Sequence, residues 1–572
     1  MLHAIIAAIV LILADPASPD VDPSLPTMAG LIERYRADLG SVRRFHDAPM
    51  STSALERGEA FHREWLERLD SVDFDALDVD GKAEHVLLRE HVRFEIDQAE
   101  YEREQLAEIE PLVPFVEPIV GLLEARRRLE PLDQRKAAQT LDELAERIAE
   151  ATGELEEAQG ERDRVLARRA AIQLDRLAWG LRSWYNFYDG YDPLFSWWCE
   201  KPYDACSAAL RTHSETLREK VAGIKGDEDP VIGDPVGRDV LLRMLEHEMI
   251  AYTPEQLIAI AEREYDWCLD QMLQASDELG FGKDWKAALE HVRDQHVPPG
   301  EQPAMIAEMA HEATAFIEDN GLITVPELCK KTWRMSMMSP ARQQVSPYFL
   351  GGETIIVSYP TDSMEHADKL ASMRGNNRHF SRAVVHHEVI PGHGLQRFMM
   401  ERYRTHRDLF YTPFWMEGWA LYWEMRLWDM DFAQGPEDRV GMLFWRMHRC
   451  ARIIFSLRFH LGEITAEEAV DYLVENVGHL RRNATAEVRR SVNGDYPPLY
   501  QAAYMLGGLQ FRALHEELVE TGDMTEREFH DAVLRHNAIA VEALRAILRG
   551  EELGKDHAAS WYFAGDIDLE GN

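Results

Sequence analysis

Residues 384–396 read VVHHEVIPGHGLQ, and any fold proposed for this chain has to accommodate the spacing inside them. His387 and His393 are six residues apart. On an unbroken α-helix that separation turns the second imidazole about 120° away from the first. Pro391, four residues after His387, has no N–H to bond back to the His387 carbonyl, and its ring crowds that turn. Gly392 follows it and accepts backbone angles that other residues resist. The stretch therefore predicts a helix that breaks at Pro391-Gly392 and turns His393 back towards His387. A straight helix through residue 393 excludes any role shared by the two.

Working outward, residues 412–425 read TPFWMEGWALYWEM. Thr412 and Pro413 form a helix start, an N-cap hydroxyl followed by a residue whose missing N–H is harmless there. Trp415, Met416, Trp419, Leu421, Tyr422 and Trp423 make this helix apolar nearly all round, the pattern of a buried helix. Glu417 is then a buried carboxylate and requires a partner. Glu424 lies two turns further on the same face and can orient a neighbouring group by hydrogen bonding.

Most of the chain has helical periodicity, in segments 81–108, 134–175, 239–279, 301–320, 364–390, 413–430, 436–460 and 525–549. Thr253-Pro254 and Thr465 mark further helix starts. The clearest strand is ETIIVSYP, Glu353 to Pro360, introduced by Gly351-Gly352. The Gly/Pro/Asp-rich run IKGDEDPVIGDPVGRD at 224–239 marks a lobe boundary. The expected fold is mainly α: a multi-helix, two-lobed architecture with a small β element beside the motif helix. Residues 24–228 form an N-terminal helical lobe and 229–572 a C-terminal lobe. The aromatic run LRSWYNFYDGYDPLFSWW at 181–198 reads as core or cleft wall.

A formal net charge of −39 over 572 residues repels phosphate backbones and argues against nucleic-acid partners. The five cysteines include no CxxC pair, which excludes a cysteine-rich metal site or a disulfide scaffold. Cys199 and Cys206 are near enough in sequence for a local disulfide or for two isolated thiols. Leu2 to Ala14 is an apolar run followed by small residues, the pattern of a signal peptide over 1–18, although no Lys or Arg precedes it. It implies an exported protein without a stable membrane span once the segment is removed, since such a run is shorter than the ~20 residues a span needs.

His-Glu pairs occur at 247–248, 311–312, 387–388 and 515–516, so the pair alone means little. Only His387-Glu388 has a second histidine and a buried downstream carboxylate. Two imidazoles and a carboxylate suit zinc, and a Glu beside the first histidine can take a proton from activated water. His387, His393 and Glu417 are the candidate ligands and Glu388 the candidate general base. His386 stands seven residues from His393, about 10 Å along a helix axis, so it is assigned a packing or supporting role.

HEVIPGHGLQ followed by EGWALYWE resembles a bacterial family catalogued as domain of unknown function 885, marked by HExxPGHxxQ and EGWAxYxE. The resemblance is clearest from about residue 230 onward. It implies a helical, metallopeptidase-like protein, distantly similar to zinc peptidases with HExxH and a downstream Glu (gluzincins), and often exported. It matches His387, His393 and Glu417 to ligand positions, Glu388 to the base and Gln396 to the closing Gln. Further on it matches Arg490, Pro498, Tyr504 and Gly507, but Ser491 stands where an aromatic usually follows the Arg.

The leading expectation is a zinc-dependent hydrolase of peptide bonds, with Tyr504 donating to the oxyanion and Arg490 holding a substrate carboxylate. The strand at 353–360 offers either an edge for an extended peptide or a plain core strand. Two other readings stand beside this one: a metal-dependent hydrolase of small non-peptide amides, and a helical binding protein with a structural metal site.

Overall fold

The computed structural model describes residues 27–157, 163–226, 230–345 and 351–567. The apolar Leu2–Ala14 run and the 1–18 signal segment lie outside the described residues. The protein is mainly helical, with one two-stranded parallel sheet among the described residues.

The chain divides into two compact units. The first holds the described residues up to Val72 together with Arg89–Ile232; the second holds Asp73–Leu88 and Gly233 onward. The Gly/Pro/Asp-rich run at 224–239 contains this division, but a short piece of the N-terminal half belongs to the second unit. Partly buried ion pairs tie it there. The fully buried guanidinium of Arg407 donates to Asp80 (2.6 Å) and Glu84 (2.8 Å), and Arg404 donates twice to Asp80 (2.8 and 3.1 Å). Charges so far apart in sequence leave no periodic signal.

In the first unit, helices Gln134–Glu157, Arg164–Tyr188 and Pro193–Thr216 close over a core that includes Leu141, Leu144, Leu174, Leu177, Trp184 and Phe195. The aromatic run at 181–198 is split between core and surface. Trp184, Tyr185 and Phe195 are buried, whereas Phe187, Tyr191, Leu194 and Trp197 are exposed, because Asp189-Gly190 turns the chain and ends the helical face. Cys199 and Cys206 are separate buried thiols. Both lie on the Pro193–Thr216 helix, seven residues apart, and a rise of about 10 Å exceeds the Cα separation a disulfide spans.

The second unit is organised around the helix Pro436–His460, buried along nearly its whole length. Helices Pro254–Glu278, Arg378–Glu388, Ala466–Val477 and Tyr500–His515 pack on it. Thr253 and Thr465 cap their helices through capping boxes, as their sequences indicate. The expected segments 239–279, 364–390 and 525–549 are each divided into two helices by short turns. The strand expected at 353–360 is Thr354–Val357, paired in parallel with Arg334–Met337. Sequence reading misses the partner strand because it is four residues long and mostly exposed.

The Pro413–Asp429 helix is buried on all sides, with Trp415, Trp419 and Trp423 fully enclosed. Burying each such ring stabilises the fold by roughly 2–3 kcal/mol. Its tightest neighbour is the Tyr500–His515 helix. The two backbones meet at Gly418 and Gly507: a Cβ on Gly507 would stand 2.7 Å from the Gly418 Cα and closer still to the Phe414 carbonyl. This close crossing sets Glu417 against the tyrosine-bearing turn of its neighbour. Gly507→Ala is expected to force the helices apart at a cost of about 1–3 kcal/mol or more, read as a lower thermal midpoint. An unchanged midpoint contradicts the close-crossing account.

Candidate metal centre

The motif helix runs Arg378–Glu388 and stops. A new helix starts at His393 and continues to Met400. The break is four residues long, Val389–Gly392, and so begins earlier than the Pro391-Gly392 pair read from sequence; the Ile390–Pro391 bond is cis. The backbone groups freed by the break find partners. Glu388 O accepts from Gly352 N–H (3.1 Å), His386 O from Gly392 N–H (3.0 Å) and Pro391 O from the Trp419 indole N–H (2.8 Å). Gly392 is required for close approach, not for an unusual φ: at φ −77° its angle is ordinary, but a Cβ would strike the His387 carbonyl.

The break places His387 at the end of one helix and His393 at the start of the next, with ring centroids 4.9 Å apart. Glu417 completes the group. Its Oε2 lies 3.2 Å from His393 Nε2 and 3.6 Å from His387 Nε2. One atom from each of the three residues falls within 4.8 Å of the others, and all three residues are buried.

The atoms that face away from this point are each held. His387 Nδ1 is 2.7 Å from Glu424 Oε1, and His393 Nδ1 is 2.9 Å from Gln396 Oε1. Gln396 Nε2 donates to Trp415 O (3.3 Å), which turns the amide oxygen towards His393. Both acceptors lack a proton to give, so each Nδ1 is the donor, and each Nε2 is turned towards Glu417 Oε2. Tyr500 donates to Glu417 Oε1 (2.5 Å) and leaves Oε2 for the shared point. Two Nε2 nitrogens and one carboxylate oxygen that face a shared point, each oriented by an outer hydrogen bond, fit a zinc ion.

The electrostatics agree with that donor set. Burial works against the charged form of His387, but its bonds to Glu417 and Glu424 outweigh it and hold the imidazole up to about 9, so a cation taking its place displaces a proton. Burial alone would raise the Glu417 carboxyl, yet His393 and His387 hold it well below the usual carboxylate range. Glu424 is similarly lowered against burial, by Arg449 and His387. Glu388 is raised, because burial outweighs the attraction of His387 and His393. Its carboxylate lies against Gly351, where any side chain would collide with it.

Tyr504 lies face-on to His387, with centroids 6.3 Å apart and planes 14° apart, and burial keeps its hydroxyl protonated. Arg490 stands off from the ligands, 3.4 Å from Glu487 and over the Tyr496 ring. His386 is buried and meets Phe432 edge-on, consistent with packing. Three contributors escape the sequence reading. Tyr500 is one turn before Tyr504 on the same helical face, and that spacing is its only signal. Arg449 and Arg452 lie on a helix that carries several other charged residues, so nothing in the sequence singles them out.

A model of the family described as "Bacterial protein of unknown function (DUF885)" matches residues 23–548. Two solved structures are similar at 16% identity. One, described as a "putative lipoprotein of unknown function" from Shewanella oneidensis, has a TM-score of 0.67 and covers 92% of this chain and 100% of its own. The other, described as a "putative lipoprotein" from Colwellia psychrerythraea, has a TM-score of 0.57 with 91% and 98% covered. At that identity they show a shared fold. No curated protein matches.

His387→Ala and Glu417→Ala are each expected to abolish stoichiometric zinc binding. Glu424→Ala is expected to weaken it about 10- to 100-fold. Elemental analysis and competition with a chromophoric chelator measure these effects. One zinc per chain in either ligand variant, or wild-type affinity in Glu424→Ala, contradicts the assignment.

Proposed function

The chain belongs to the bacterial DUF885 family, and from the converging His387, His393 and Glu417 atoms we propose that it is a zinc-dependent hydrolase of peptide bonds. The observation that carries this reading is the donor set itself: among the described residues three ligand atoms converge, not four, with the Glu388 carboxylate beside them. Structural zinc sites close with four protein ligands, whereas catalytic ones keep a position open. A structural or vestigial site also has no use for a buried carboxylate next to its ligands.

His387, His393 and Glu417 would hold the zinc, which would supply the Lewis acidity that activates water and polarises an amide carbonyl. Glu388 accepts the proton of the attacking water and delivers it to the leaving amine. Its raised affinity for protons, due to burial, suits both halves of that task. Tyr504 remains protonated and donates to the oxyanion as it develops. The strand Thr354–Val357 begins next to Gly352, whose N–H is bonded to the Glu388 carbonyl, so an extended peptide added along its second edge would run past the general base.

We also assign the protein to an exported compartment. The apolar run at Leu2–Ala14 and the description of two similar folds as lipoproteins support this. No helix among the described residues is long and apolar enough to cross a membrane.

Glu388→Gln is expected to keep one zinc per chain and to lower turnover of a peptide library about 10²- to 10⁴-fold. Mass spectrometry of the digest, run with and without chelator, measures it. Chelator-insensitive cleavage, or full turnover by Glu388→Gln, overturns the reading.

A further inference from the structure

The wall of the site around Tyr504 holds more guanidinium groups than carboxylates that pair with them directly. Three guanidinium groups gather there. Arg449 and Arg452 place their Cζ atoms 5.0 and 4.5 Å from the centre of the Tyr504 ring. Arg490 sits over Tyr496 at 5.1 Å, close enough for its charge to be felt by both Arg452 and Tyr504. The carboxylates paired directly with them are two, and both are shared. Glu424 accepts from Arg449 (3.4 Å) while also holding His387. Glu487 accepts from Arg452 (2.6 Å) while lying 3.4 Å from Arg490 and 3.7 Å from His448. Arg449 Nε, Arg452 Nη1 and Arg490 Nε are buried without a hydrogen-bond acceptor.

A buried guanidinium with spare N–H groups is costly unless an anion completes it. The excess is also out of character for a chain of net charge −39. Arg490 is the member that a ligand can reach, with 14% of its side chain exposed against 5% for Arg452. From Arg490 a row of rings leads to the metal ligands: Tyr496 packs against Tyr500 with centroids 4.5 Å apart, and Tyr500 donates to Glu417. A group held at Arg490 therefore stands at the end of a row of contacts that leads to Glu417.

We propose that Arg490, backed by Arg452 and Arg449, binds a carboxylate of the substrate next to the scissile amide, which makes the protein an exopeptidase acting at free C-termini. The guanidinium fork matches the two oxygens of a carboxylate, and the buried pair behind it supplies the charge. The peptidase half of this statement rests on the zinc-hydrolase reading; the carboxylate site does not. An acidic side chain near the C-terminus offers the same chemistry as the α-carboxylate, and the ligands below separate the two.

The test is calorimetric binding to the full chain carrying Glu388→Gln, so that no ligand is consumed. The probes are acetyl-Ala-Phe as free acid, acetyl-Ala-Phe amide and acetyl-Ala-Glu amide. The free acid is expected to bind about 10- to 100-fold more tightly than the Phe amide. Adding Arg490→Gln is expected to remove that difference, and Arg490→Lys to restore part of it, with the circular dichroism spectrum unchanged. Preference for the Glu amide alone keeps the carboxylate site but moves its source to a side chain, and ends the C-terminal assignment. Equal affinity for all three, no binding of any, or a preference that survives Arg490→Gln overturns the proposal. Digestion of acid and amide libraries by the unaltered protein is a separate arm. Acid-selective binding without any hydrolysis ends the peptidase reading and spares the site; equal hydrolysis of both libraries does the reverse.

Discussion

Glu417 is a carboxylate on a helix buried on all sides, and the candidate site is arranged around that fact. The residues on either side of it are Met416 and Gly418, and it is buried itself. An ionised group there is tolerable only if other chain segments bring partners to it. Three do. The broken motif helix brings His387 and His393, and the Tyr500–His515 helix brings the Tyr500 hydroxyl. Each partner is in turn held by a residue of its own: Glu424, Gln396, and the close Gly418–Gly507 crossing that places Tyr500.

That dependence explains why the backbone is interrupted where it is. A continuous helix would satisfy its own carbonyls and leave His393 pointing elsewhere. The interruption at Val389–Gly392 exchanges those helical bonds for ones from Gly352, Gly392 and Trp419, so little hydrogen bonding is lost. The Trp419 bond is informative because Trp419 belongs to the same helix as Glu417. One element both fixes the loop and supplies the carboxylate that the loop's histidines meet.

Charge is distributed in two opposing ways. The chain as a whole is strongly acidic, while the wall beside the site gathers Arg449, Arg452 and Arg490. A distributed negative charge favours solubility and disfavours contact with polyanions in general. It does not cancel a local cationic wall, because buried charges are screened far less than exposed ones.

The motif spacing, the apolar helix around Glu417 and the capping residues Thr253, Thr412 and Thr465 are local features. Sequence alone therefore determined that this is a mainly helical protein whose motif helix must break, and that Glu417 must have a partner. Which atoms meet is a different matter. That Glu424 holds Nδ1 of His387, that Tyr500 binds Glu417, and that three arginines share two carboxylates all depend on how separate helices cross. So does the inclusion of Asp73–Leu88 in the second unit, through Arg407 and Arg404 more than 300 positions away. Periodicity records which face of an element is apolar, but it carries no information about which distant face arrives to cover it. Only the packed tertiary structure, where burial forces every charge to find its counterpart, decides that.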